Sequence, residues 1–101
     1  IGIIMRLNFF RDFDALVGAL DDSEVEVRRR AALALGELEV AEAAVPLEAM
    51  LTGDGNRDCR QAAAWALGRI GGGTSHAALV SAQSSETDAR VRDAIRVALA
   101  M

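Results

Sequence analysis

The chain has 101 residues, the length of one domain; 51% are hydrophobic, only 4% are aromatic, and Tyr is absent. A formal net charge of −4 argues against a dedicated nucleic-acid binder, which carries a basic footprint, though it leaves room for a local basic patch. A single Cys excludes an intramolecular disulfide and suits a reducing, cytoplasmic setting, and no apolar run approaches the roughly 20 residues that cross a bilayer.

The opening IGIIMRLNFF is apolar but short. It lacks a basic stretch before the apolar one and a clear cleavage site, so it does not read as a signal peptide. Residues 1–8 read as a tag remnant or an N-terminal extension, with Met5 as a candidate native start and 1–4 left over. A first helix is expected over roughly 9–20, where Phe9, Phe13 and Leu16 or Val17 form one stripe; Phe10 and the IGIIM segment fall outside it. Asp21, Asp22 and Ser23 break that helix and are expected to cap a second, over roughly 24–37. A third helix begins near Val40, and its Pro46 predicts a kink or a late start. TGDGN at 52–56 is a turn signal, after which a fourth helix runs to about Ile70 and stops at GGGT, read as a flexible joint. A last pair is expected over about 75–83 and 87–100.

These elements repeat. RRRAALALGELE at 28–39 returns as RQAAAWALGRIG at 60–71, an offset of 32 residues, and a worn copy, RDAIRVALAM, starts after another 32. Arg28, Arg60 and Arg92 align, and each follows an acid at the same distance: Asp22, Asp54 and Glu86. Gly36 and Gly68 match, with Ala100 in the third copy. Six short helices at this period are the signature of an α-solenoid. The expected fold is all-α: an armadillo-like α-α superhelix in one domain, with helical hairpins at about 9–38, 40–70 and 75–101. On a helical wheel Val27, Ala31, Ala34, Leu35 and Leu38 fall within about 100° and form the expected core stripe. Cys59 takes the place of Val27 in unit two and reads as a small buried hydrophobe, not a nucleophile. Ala31, Ala32, Ala63, Ala64, Gly36 and Gly68 are small enough to let neighbouring helices approach closely.

DDSEVEVRRRAALALGEL and DGNRDCRQAAAWALGRIG resemble the HEAT-like repeats of the phycobilisome-lyase type: an acid-rich turn, then Val-Arg, an Ala pair, and Ala-Leu-Gly. AEAAVPLEAML resembles that family's first helix, including its Pro. The likeness covers about 80 residues, from Ala15 onward. It weakens in unit three, where Ile95-Arg96 replaces the Ala pair and Ala100 the Gly, and the first helix of unit one lacks the Pro. The resemblance implies a right-handed stack of hairpins whose second helices line the concave side. The repeat occurs in interaction scaffolds, bilin lyases, a DNA-repair glycosylase group and an iron hydroxylase, so it implies a fold and leaves function open.

Two sets of residues stand out. Asp22, Arg28, Asp54, Arg60, Glu86 and Arg92 recur with the unit and read as a structural ladder, with Arg28 pairing to Asp22 or Asp54 between turn rows. Leu33, Trp65 and Val97 recur about 210° around the wheel from the core stripe, where polar residues are expected. Arg29, Arg30 and Glu37 flank this apolar row in unit one, Gln61 and Arg69 in unit two, and Asp93 in unit three. An aromatic anchor with a charged rim is how protein-binding hot spots are often built. The plainer alternative is that Trp65 packs over Ala62 and the next helix, with no partner. The consecutive Arg28, Arg29 and Arg30 are flanked by Glu24, Glu26 and Glu37 and read as a solvated helix face. The apolar ends, with the Trp65 row, make a homodimer one outcome, and a piece of a longer array another.

Catalytic signals are weak. His76 is the only His and is followed by Ala77, unlike the His-Glu pairs of the related iron hydroxylase. No base is placed near Ser75, Ser81, Ser84 or Ser85, and GGGT lacks the Lys and preceding strand of a phosphate loop. Asp54-Gly55-Asn56 is too short for a calcium loop. The expected function is a non-catalytic interaction module or scaffold that binds a protein partner through the concave face of the second helices, with no membrane, no metal and no cofactor. The alternative is an accessory or lyase-like subunit in bilin attachment or protein maturation; nucleic-acid binding ranks third.

Overall fold

The computed structural model describes residues 13–101. Every regular element among them is helical. Residues 13–19 belong to a first helix, α1. Then come α2 (Val25–Glu37), a 3-10 turn (Ala41–Ala43), α3 (Ala44–Gly53), α4 (Arg57–Ile70), α5 (Gly73–Ser85) and α6 (Ala89–Ala100). The expectations for Phe9, Phe10 and the opening segment lie outside the described residues. The helices form two layers. α2, α4 and α6 make the B layer, packed side by side in chain order; α3 and α5 of the A layer pack behind α4 and α6. The result is an elongated slab of 47 × 28 × 16 Å, consistent with an all-α solenoid.

Local chemistry sets the helix starts. Asn56 caps α4, its Oδ1 accepting the N–H groups of Asp58 at 2.8 Å and Cys59 at 3.3 Å. Asp88 does the same for α6 through Arg90 and Val91. The expectation that Asp21, Asp22 and Ser23 cap α2 needs correction. Glu24 holds the N-cap position without a side-chain bond, and Asp22 instead accepts the Glu24 N–H at 2.9 Å. Pro46 is the third residue of α3, in the first turn, where a missing N–H costs no helical bond, so the helix starts late and needs no kink. The Gly-rich joint is shorter than expected. Gly71 and Gly72 carry the positive φ values of 73° and 92°, and α5 restarts at Gly73.

The core is Leu, Ala and Val at helix interfaces, with Leu35, Leu47, Leu51, Leu67, Val91 and Ile95 almost sealed from solvent. Cys59 is fully buried among them; burial pushes its thiol upward, with the Asp54 charge adding to the effect. Two members of the expected stripe leave the core: Val27 and Leu38 are 39% and 50% exposed. In unit two Cys59 lies under α2, its Sγ 3.5 Å from the Val25 carbonyl. No B helix precedes α2 among the described residues, so Val27 lacks that cover. Leu38 is the C-cap of α2, where the chain turns through Glu39 at φ 53°. Phe13, Leu16 and Val17 pack half-buried against the core.

The B helices touch closely where the repeat has Gly. A Cβ on Gly36 would lie 2.6 Å from the Cα of Ala66, and one on Gly68 would lie 2.8 Å from the Cβ of Ala98. Both distances are below any real Cβ contact, so these positions fix how near each B helix comes to the next.

Candidate partner-binding groove on the B helices

The recurring Arg residues lie at the turn edge of the slab. Arg28 Nε and Nη2 donate to the two carboxylate oxygens of Asp54 at 2.9 and 3.3 Å, and Nη1 donates to the Asp22 carbonyl at 2.9 Å. Arg60 repeats the geometry one unit on. It forks onto Glu86 at 3.0 and 3.2 Å and reaches the Asp54 carbonyl at 2.9 Å. Each Arg thus holds its own turn by a carbonyl and the next turn by a carboxylate. Each carboxylate also accepts a backbone N–H two residues on, Asn56 for Asp54 and Asp88 for Glu86. Burial alone would raise the Asp54 and Glu86 pKa values; the Arg forks and backbone N–H groups outweigh it and hold both below their ordinary range. In both pairs the acceptor comes 26 residues after the Arg. Arg92 has no residue at that distance in the sequence, and it is exposed without a carboxylate partner among the described residues.

The solvent-facing side of the B layer carries a groove of about 630 Å³ lined by residues of α2, α4 and α6, within the usual range for small-molecule sites. Leu33, Trp65 and Val97 lie along it, with Arg29, Gln61 and Asp93. Trp65 is half-buried. Its Cζ3 edge rests where a side chain on Gly36 would be, so the glycine that lets α2 approach α4 also seats the ring. The plainer alternative has Trp65 covering Ala62 and the following helix; the contact at Gly36 adds one with the preceding helix. The Arg69 guanidinium lies 5.6 Å from the ring centroid, a cation–π distance, and also donates to Glu39 at 3.3 Å. Trp65 is therefore held from two sides with part of its surface open.

Arg30, Glu37 and Arg69 are exposed but do not line the groove, although Arg69 lies over the Trp65 ring. Four lining residues were missed in the sequence: Asp58, Ala62, Arg90 and Ala94. The repeat offset carried the signal, since 58 and 90 are one position of the unit and 62 and 94 another. Besides Arg69–Glu39, the ion pairs of α2 and α6 here lie within single helices. Arg29 and Arg30 both donate to Glu26, at 2.7 and 3.0 Å, and hold its carboxyl down to about 2; Arg96 pairs with Asp93. Asp58 and Arg90 have no ion-pair partner among the described residues.

A second cleft, of about 680 Å³, runs along the turn edge between Leu20, Met50 and the Asp21–Ser23 turn. Its floor is buried core and Asp54 is already engaged by Arg28, so it offers no open anchor. His76 is exposed at the start of α5. Among the described residues no three His, Cys, Asp or Glu side chains are grouped to hold a metal ion, and no helix is long and apolar enough to cross a membrane.

No curated protein sequence matches the chain. The family of HEAT repeats matches residues 13–100, nearly all of the described chain. The stacked hairpins, the recurring Arg and the Gly-mediated B-helix contacts agree with that match, and the chain belongs to the HEAT-repeat family.

Proposed function

We propose that this chain is a non-catalytic interaction module that binds a protein partner through the groove centred on Trp65. The observation that carries the reading is the state of that ring: fixed by Gly36 and Arg69, half open, and set in an apolar row with a charged rim. A partner that covers such a ring gains buried area without paying to order it. HEAT repeats commonly mediate protein–protein contacts, which supports the same reading. A photoreactive residue placed at Gln61, in the groove, or at Gln83, exposed on α5, tests it in cells. The expected result is a protein adduct at position 61 and none at 83. Equal yields at both positions, or none at either, would contradict it.

A second reading follows the finer likeness to phycobilisome-lyase-type repeats: an accessory or lyase-like subunit that handles a bilin. The feature favouring it is that Arg29 and Arg90 line the same groove as Trp65, and a tetrapyrrole offers two carboxylates beside an apolar ring system. Titration with biliverdin separates the readings. A saturable absorbance shift lost in Trp65→Ala supports the pigment, and an unchanged spectrum removes it.

A further inference from the structure

The B helices pack in repeat register, so residues 32 apart form rows across the solvent-facing side of the B layer. One row reads Arg29, Gln61, Asp93; the next reads Glu26, Asp58, Arg90. Charge falls from positive to negative along the first and rises from negative to positive along the second. Between units one and three the face therefore carries opposite charges at equivalent positions. Such a face complements its own image turned end for end.

We propose that the occupant of the Trp65 groove is a second copy of this chain, docked face to face in reversed unit order. The two-fold axis lies in the interface, parallel to α4, over Trp65. This rests on the groove being a protein-binding surface and adds the identity and register of the partner. Arg29 of each copy meets Asp93 of the other, and Arg90 meets Glu26. Leu33 meets Val97 across the apolar row, and the two Trp65 rings meet on the axis. An isologous contact of this kind closes on itself and cannot polymerise.

The charges are available for it. Arg90 has no ion-pair partner among the described residues. Arg29 is held by Glu26 in an exposed pair within one helix, and Asp93 by Arg96 in another. Exposed pairs of this type contribute little and exchange partners easily. Glu26 keeps Arg30 when it releases Arg29. The opposing cost falls on the axis, where Asp58 and Arg69 each meet their own image, so the dimer is weak and salt-sensitive.

The test is mass in solution by light scattering, from micromolar to millimolar protein, with a charge-swap set. Wild type is expected to move from monomer to dimer. Arg29→Asp and Asp93→Arg each place like charges opposite one another at both ends, and each should weaken the dimer at least about tenfold. Mixing these two variants sets the carboxylate introduced by Arg29→Asp against the guanidinium introduced by Asp93→Arg at one end. At the other end the native Arg29 and Asp93 still meet, so association should return to within about threefold of wild type. That rescue cannot come from misfolded protein. Asp58→Asn, which removes the like-charge contact on the axis, should tighten the dimer. A wild-type monomer throughout, or a mixture that stays monomeric, overturns the proposal. If position 61 still cross-links a different protein, the groove reading survives that result; if it cross-links nothing, both fall.

Discussion

Arginine meets carboxylate on two edges of this molecule, with different consequences. At the turn edge Arg60 and Glu86 are 17% and 7% exposed, cross from one unit to the next, and form a two-bond fork. On the B face Arg30 and Glu26 are 75% and 51% exposed and sit four residues apart on one helix. The first arrangement has geometry, burial and backbone N–H groups fixing its carboxylate. The second has water on all sides. Identical chemistry therefore joins units at one edge and leaves a re-pairable rim at the other, and the difference lies in what surrounds the charges.

The largest effect is expected at the close contact between α2 and α4. Gly36→Val should cost about 3 kcal/mol or more in urea unfolding, because the new side chain meets the Ala66 backbone and the Trp65 ring, neither of which can yield cheaply. Arg60→Ala comes next. It leaves the Glu86 carboxylate without its fork and should cost about 2 kcal/mol at neutral pH, read from the same unfolding curves. The loss depends on pH. Because Glu86 is depressed in the folded chain, the fork's contribution is present above the ordinary carboxylate range and disappears as pH falls through the folded value. Wild type and Arg60→Ala should converge in acid.

Smaller changes sharpen the comparison. Ser75 is 1% exposed and its hydroxyl lacks a hydrogen-bond partner, whereas the equivalent residue of the preceding unit is the buried Ala43. Ser75→Ala should raise stability by about 1 kcal/mol, seen as a higher Tm. Glu26→Gln removes the acceptor for both Arg29 and Arg30, yet water screens much of their pull on its carboxyl, so the unfolding midpoint should move far less than in Arg60→Ala.

Much of this was legible because the repeat reports twice. The 32-residue offset marked Arg28, Arg60 and Gly36 as parts of a unit, and the wheel isolated Leu33, Trp65 and Val97 as apolar where polar residues belong. What stayed hidden depends on distances between units. Periodicity offered both Asp22 and Asp54 to Arg28. In the structure the fork goes to the Asp54 side chain while Asp22 supplies its carbonyl. The seat of Trp65 on Gly36 was equally hidden, because it depends on how closely α2 approaches α4. Val27 was misplaced for the opposite reason: the wheel assigns the same burial to every unit and does not register that a B helix must lie beside it. Asp58 and Arg90 were overlooked although their offset was available, because each looks like an ordinary surface charge until both line one groove.

The division of labour between the edges is tested most directly by two double-mutant cycles run side by side in urea, Arg60 with Glu86 and Arg30 with Glu26. A clear coupling is expected for the Arg60–Glu86 fork and a much smaller one for Arg30–Glu26. Equal coupling in the two cycles, or a larger one for Arg30–Glu26, would overturn that division and would make the exposed charges of the B face part of what holds the stack together.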